Sequence, residues 1–402
     1  MGWVTPDAPT RAELDACVSC GLCLPHCPTF RLTGDETASP RGRLAAMAAV
    51  AEGVVEMDAT FEEMMGFCLQ CRACEAVCPS LVPFGRAMEG ARAEVTAQRP
   101  SWRRKVRHLL LGRVLPTRWV IRVVTVAAAV AQRLRLHRLG RGPTNRLAGL
   151  RRLPLVPPST VGRELVGIGK RRGTAARLAG CVTDPWFAAV HEATIGVLRR
   201  GGYDVVVPNG QTCCGALAAH DGAAKTARRL AARNTRAFAG VDVIVVDAAG
   251  CGAHLKEYRS WAPAGGEVAA RTRDITELAA ELIAEGILPV VHGDGMVAVQ
   301  DPCHLRHAQR ITEAPRSVIR SAGRTPVEVD RAGLCCGAAG VYTLLRPDTS
   351  AELGERKAAQ VRASGATVVA SANIGCEMQL RSHLGSGFEV RHPIEIYWDA
   401  IR

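Results

Sequence analysis

The sequence contains no uninterrupted apolar run of the roughly 20 residues that a membrane-spanning helix requires. Its best stretch, residues 120–131, is too short and is broken by Arg122. The first residues, MGWVTPDAPTRAEL, lack a basic start, an apolar run and a small-residue cleavage site, so no export signal is written there and a cytoplasmic chain is expected. There is no P-loop. The nearest approach to a dinucleotide fingerprint, Gly167-Ile-Gly169-Lys-Arg-Arg-Gly173, has the wrong final spacing and precedes a strand-like run instead of opening a helix.

Acidic residues are nearly missing from one long segment. Between Arg99 and Arg172 stand nineteen Lys and Arg and a single acid, Glu164, for a segment charge of +18. The whole chain carries +13, so the remainder is net −5 and the basicity belongs to this segment alone. A whole-protein affinity for nucleic acid is therefore not implied. Few aromatics interleave the arginines, which also argues against single-strand binding, and no nucleic-acid partner is expected.

What the chain has in quantity is cysteine, sixteen in 402 residues. In a reducing cytoplasm such thiols serve as metal ligands more readily than as disulfides. The length suits several domains. Four regions are expected: a cysteine-rich, mainly helical unit at 1–90, a cysteine-free basic connector at 91–172, and two α/β units at 173–290 and 291–402. In the latter two, the Val- and Ile-rich runs 204–208, 241–247, 296–300, 326–329 and 367–370 read as strands. Stretches such as 188–200 and 225–238 read as helices between them, a pattern that predicts βαβ units and largely parallel sheets. Another helix is expected at 43–52.

The run Cys17-x2-Cys20-x2-Cys23-x3-Cys27-Pro28 recurs as Cys68-x2-Cys71-x2-Cys74-x3-Cys78-Pro79. Four thiolates around a [4Fe–4S] cube suit this spacing, and its tight turns can aim backbone N–H groups at sulfur. In two-cluster ferredoxins the fourth cysteine of each run serves the other cluster. One set is then Cys17, Cys20, Cys23 and Cys78, the other Cys68, Cys71, Cys74 and Cys27. Zinc is the competing reading, because thiolates also select it, although zinc ribbons use two separated C-x2-C knuckles. The 40 residues between Cys27 and Cys68 leave room for helices.

A second repeat organises the rest. Cys181 is followed after 31 residues by Cys213-Cys214-Gly215 and after 36 more by Cys251. Cys303 is followed after 31 by Cys335-Cys336-Gly337 and after 39 more by Cys376, the two copies lying 122 residues apart. This implies two similar units with a boundary near 286–294. Each CCG follows a predicted strand, as do Cys303 and Cys376, so four cysteines per copy should converge beyond the carboxyl ends of a parallel sheet. Three readings stay open for them: an iron–sulfur cluster or other metal in at least one copy, acceptor or quinone chemistry without metal, or small buried core residues. His220, His304, His307 and especially His254 are candidate accessory ligands.

With the segments LAGC, GCCGALAAH, AGCGAHLKEY, DPCHLRHAQ, LCCGAAGVYTLLRP and SANIGC, the chain resembles the glycolate oxidase iron-sulfur subunit family over nearly its whole length apart from the basic middle. More distantly it is similar to the iron–sulfur subunits of anaerobic glycerol-3-phosphate dehydrogenase and heterodisulfide reductase. In the last of these a terminal CxxC adds a fifth thiolate for a non-cubane cluster. Here His254 and Gln379 stand in that place, so the fifth ligand does not carry over. The resemblance implies electron transfer in a complex that oxidises glycolate or D-lactate. Clusters move single electrons whereas a 2-hydroxy acid gives up two, so an FAD on a partner subunit must intervene, with a quinone or other acceptor downstream.

In the connector, Trp102, Val106, Leu109, Leu110 and Val114 share one helical face, as do Trp119, Val123, Val126, Ala127, Val130 and Leu134 after Pro116. Arginines take the opposite sides. Residues 101–141 are thus expected either to pack between the two halves or against a partner, or to lie on an anionic membrane surface at the inner face of the cell membrane.

Overall fold

The computed structural model describes residues 2–136, 149–330 and 333–402. Its N-terminal part is built of helices joined by turns. Thr10 and Glu13 form a capping box on the helix Arg11–Asp15, and Ser39 caps Pro40–Ala51, whose first residue is proline. Asp58 caps Ala59–Gly66. These last two helices fill the stretch between the cysteine runs, and with Phe84–Gln98 they enclose a core of Met47, Val50, Met65, Ala87, Met88 and Ala91, all fully buried.

The connector continues as a helix Trp102–Leu109, a wide π-helical turn Leu110–Val114 and a helix Arg118–Arg133. No single helix among the described residues is long and apolar enough to cross a membrane, and Trp102–Val114 meets Arg118–Arg133 at 104°. The helix Arg118–Arg133 buries Ile121, Thr125 and Ala129. The stripe singled out in the sequence therefore points outward, with Trp102, Trp119 and Val123 exposed to 71%, 69% and 60%. Residues 137–141 of the expected surface segment lie outside the described residues.

Two sheets follow. The first contains β1 (Glu164–Leu165), β2 (Gly173–Arg177), β3 (Tyr203–Val206), β4 (Val243–Val246) and β5 (Thr272–Asp274) in the order β1-β3-β2-β4-β5. The second contains β6 (Met296–Gln300), β7 (Thr325–Glu328), β8 (Val368–Ser371) and β9 (Glu389–Arg391) in the order β7-β6-β8-β9. All pairings are parallel except β1 with β3. Strand for strand, β3-β2-β4-β5 and β7-β6-β8-β9 have one topology, which is the cysteine repeat seen in three dimensions.

Two features cross the expected divisions of the chain. β1 lies within the stretch assigned to the connector but adds an antiparallel edge to the first sheet, so the α/β unit begins before residue 172. The repeats also share one core. Val205 and Val245 of the first sheet, with Val207 just beyond β3, belong to the same buried cluster as Val297, Val299 and Ala370 of the second. The C-terminal helix Pro393–Ile401 crosses to the first repeat, where Trp398 closes over Gly196 of the helix Ala188–Arg200 and a side chain at that glycine would have no room.

Candidate iron–sulfur centres and the junction between them

Each cysteine run owes its shape to two left-handed residues at equivalent places. Ser19 and Gly21 have φ of 55° and 81°, and Gln70 and Arg72 have φ of 52° and 62°. Glycine takes this conformation freely, whereas the others need support at about 1–3 kcal/mol each. Arg72 has it, paired with Glu75 and with Glu257 of the first repeat. The turn aims the Gln70 N–H at Cys68 Sγ, 3.3 Å away.

The first run borders an open hollow lined by Cys17, Cys20, Cys23 and, from the other run, Cys78 and Cys74. Its remaining walls are largely apolar, including Leu22, Leu44, Val82 and Phe84. Five thiols around a largely apolar recess supply the soft donors that an iron–sulfur cube needs. Cys27, Cys68 and Cys74 are buried. Burial pushes the Cys71 and Cys74 thiols up, and Cys27 and Cys68 lie near enough to both to add to the effect. The hollow thus gathers cysteines of both runs, and Cys27 lies close to Cys71 and Cys74 of the second.

In the repeats, the four cysteines converge beyond the strand ends. Cys214 and Cys251 approach to 3.1 Å between sulfurs. Hydrogen bonds from Cys181 and Cys214 hold the Cys213 thiol well below its usual value. In the second copy, hydrogen bonds from Cys335 and Cys376 do the same for Cys336, and Cys303 bonds to Cys335. The Gly337 N–H reaches Cys335 Sγ at 3.4 Å. Among the described residues no three His, Cys, Asp or Glu side chains are drawn in tightly enough for a single metal ion. The quartets are convergent donors and not a closed coordination shell.

The histidines meet elsewhere. His220 lies 5.2 Å from His304 and 6.4 Å from His254, centroid to centroid, where the ferredoxin-type unit abuts both repeats. His220 Nδ1 pairs with buried Glu89 at 2.8 Å, and His304 Nε2 with the Gln70 carbonyl at 2.9 Å. Burial pushes Glu89 up to about 7 and brings His220 down to about 4 and His304 to about 3, so the imidazoles are neutral at physiological pH. Both His254 ring nitrogens lack a partner among the described residues. His307 pairs with the Gly333 carbonyl at 2.9 Å, away from this group.

Several residues of the junction carry no sequence signature. Arg92 donates to the carbonyls of Met65, Cys68 and His220 and so ties the second run to the first repeat. Tyr258 donates to the Cys214 carbonyl at 2.6 Å. Most telling, Cys71 and Leu69 pack into the apolar cluster that contains Cys303 and Cys335.

Two cysteine runs on a helical unit, set against two α/β repeats with convergent thiols, define an iron–sulfur electron-transfer protein. The family model for a 4Fe-4S dicluster domain matches residues 13–82, and that for a cysteine-rich domain matches 175–256 and 297–381. A probable glycolate oxidase iron-sulfur subunit of Bacillus subtilis (strain 168) is 34% identical over 400 residues, covering 92% of this chain and 89% of its own. The glycolate oxidase iron-sulfur subunit of Escherichia coli (strain K12) is 32% identical over 401 residues, covering 96% and 94%. Lactate utilization protein A of Shouchella clausii (strain KSM-K16) is 28% identical over 228 residues, covering 54% of this chain and 95% of its own. The chain belongs to the glycolate oxidase iron-sulfur subunit family.

Proposed function

We propose that the chain is the electron-transfer subunit of a complex that oxidises glycolate or D-lactate. Substrate would be oxidised at the FAD of a partner flavoprotein, and this chain contributes no catalytic residue to that step. Cys17, Cys20, Cys23 and Cys78 hold one [4Fe–4S] cluster and Cys68, Cys71, Cys74 and Cys27 the other. When bound, the clusters supply one-electron redox chemistry, which splits the two-electron oxidation into single transfers.

The residues of the chain do the rest. The turns at Ser19–Gly21 and Gln70–Arg72 fix the thiols, and the buried helical core around Met65 and Met88 limits water near the second set. The observation that carries the reading is the contact of Cys71 with the cluster around Cys303, which supports a continuous line of thiols from the first hollow to the second repeat. From there electrons would leave to a quinone or another acceptor. The exposed Trp102, Trp119 and Val123, flanked by exposed Arg103, Lys105, Arg113 and Arg122, support peripheral contact with the inner face of the cell membrane.

The test is anaerobic mixing with the FAD-containing partner. Addition of glycolate or D-lactate should bleach the visible absorbance of this chain's clusters. Bleaching with glycerol 3-phosphate and its flavoprotein, but not with a hydroxy acid, would overturn the substrate assignment.

A further inference from the structure

A cleft separates the helix Pro28–Thr33 of the ferredoxin-type unit from the helix Pro347–Ala363 of the second repeat. Its cavity volume is about 320 Å³, at the lower end of the size range of small-molecule sites. Pro28, Leu334 and Leu353 give it aliphatic walls, Arg31, Arg356 and Lys357 supply positive charge, and among the described residues no carboxylate lines it. Lys357 is anchored, its side chain only 3% exposed and its Nζ 2.6 Å from Asp330. Arg31 is exposed, and Arg356 pairs along its own helix with Glu352 at 2.7 Å.

The position of the cleft matters as much as its chemistry. Pro28 is joined directly to Cys27, and the opposite wall contains Cys335. A molecule in the cleft therefore lies against one thiol of the second quartet, Cys335, and against Pro28, the residue next to one proposed ligand of the second ferredoxin-type cluster. Electrons arriving by way of Cys71 and Cys303 end beside it.

We infer that this cleft is the acceptor site of the protein and that it takes a quinone head group. The inference rests on the electron-transfer reading above. Aliphatic walls suit the ring, and the cationic side chains suit carbonyl oxygens that gain negative charge as the ring is reduced. The reaction balances as two successive one-electron transfers plus two protons to one quinone, giving one quinol. Both electrons originate in one hydroxy acid, and the protons come from water at the open mouth.

The experiment uses the full chain, purified without oxygen, with menadione as probe. Equilibrium dialysis of the oxidised protein should show saturable menadione binding. Ala359→Trp, which fills the cleft from the helix Pro347–Ala363, should weaken that binding by about tenfold or more. It should slow reoxidation of the dithionite-reduced protein by menadione in proportion, with iron content and reoxidation by ferricyanide unchanged. Arg31→Gln, an exposed change that does not threaten folding, should weaken both menadione readouts several-fold. Unchanged menadione binding in both variants, or reoxidation that rises linearly with menadione without saturating, would overturn the assignment of the cleft. A protein without iron would instead overturn the electron-transfer reading itself.

Discussion

Cys71, in the second N-terminal run, packs against the buried cluster that holds Cys303 of the second repeat, 232 residues further along the chain. That contact joins the two cysteine systems of the molecule. It also makes the ligand sets testable one residue at a time.

With the fourth cysteines crossed, Cys78→Ser should resemble Cys20→Ser, and Cys27→Ser should resemble Cys71→Ser. Each variant is expected to lose about four irons and one of two EPR signals after reduction. Matching losses in Cys78→Ser and Cys71→Ser would instead mean that each run serves its own cluster.

Arg151 is a structural hinge-pin of the connector. It forms paired hydrogen bonds of 2.5 and 2.8 Å to Glu377 and of 2.6 and 2.6 Å to Glu395, and stacks 5.1 Å from the centroid of Phe187. Both carboxylates are almost fully buried. Arg151→Ala strands two buried charges and should cost about 3–5 kcal/mol, measured by urea denaturation. Arg151→Lys should recover only part of this, because an ammonium group cannot replace the planar fork.

Asp274 caps the helix Ile275–Ala284 through one oxygen, accepting from the Thr276 N–H at 2.9 Å, while its other oxygen is buried without a partner among the described residues. Burial pushes this carboxyl up to about 7. An unfolded aspartate titrates near about 3.9, so folding favours the protonated form, and the cost of keeping the group ionised grows as pH rises from about 4 to 7. Asp274→Asn retains a capping oxygen and stays neutral. Its melting temperature relative to the parent should rise between pH 4 and 7, and a difference independent of pH would contradict the assignment.

The outward stripe of the connector predicts binding to anionic vesicles that weakens as salt increases. Trp119→Ser or Val123→Ser should each reduce the bound fraction in co-sedimentation, by up to about tenfold in affinity. Equal binding to neutral vesicles would exclude the arginines from the contact.

How far these features could be read in advance depended on their range. Cysteine spacing is a property of consecutive residues, so the runs and the repeat were legible, as were β4 and β6 with their Val and Ile content. β2 was not. It reads Gly-Thr-Ala-Ala-Arg, yet it occupies the centre of its sheet, where fully buried Arg177 meets Asp247 at 3.3 Å. In the helix Arg118–Arg133, the spacing by four of Ile121, Thr125 and Ala129 is as periodic as the Trp119 stripe, and only packing decides which face is covered. Glu89 with His220, and Arg92 with Cys68 and His220, join residues too distant in sequence to leave a local pattern.

The central claim, that this chain carries electrons through two cubane clusters, is tested most directly by iron and acid-labile sulfide per chain with EPR of the anaerobically reduced protein. Two ferredoxin-type clusters predict about eight of each and two interacting paramagnets, with more if a repeat is also loaded. A colourless protein that holds zinc, with neither iron nor sulfide, would contradict it.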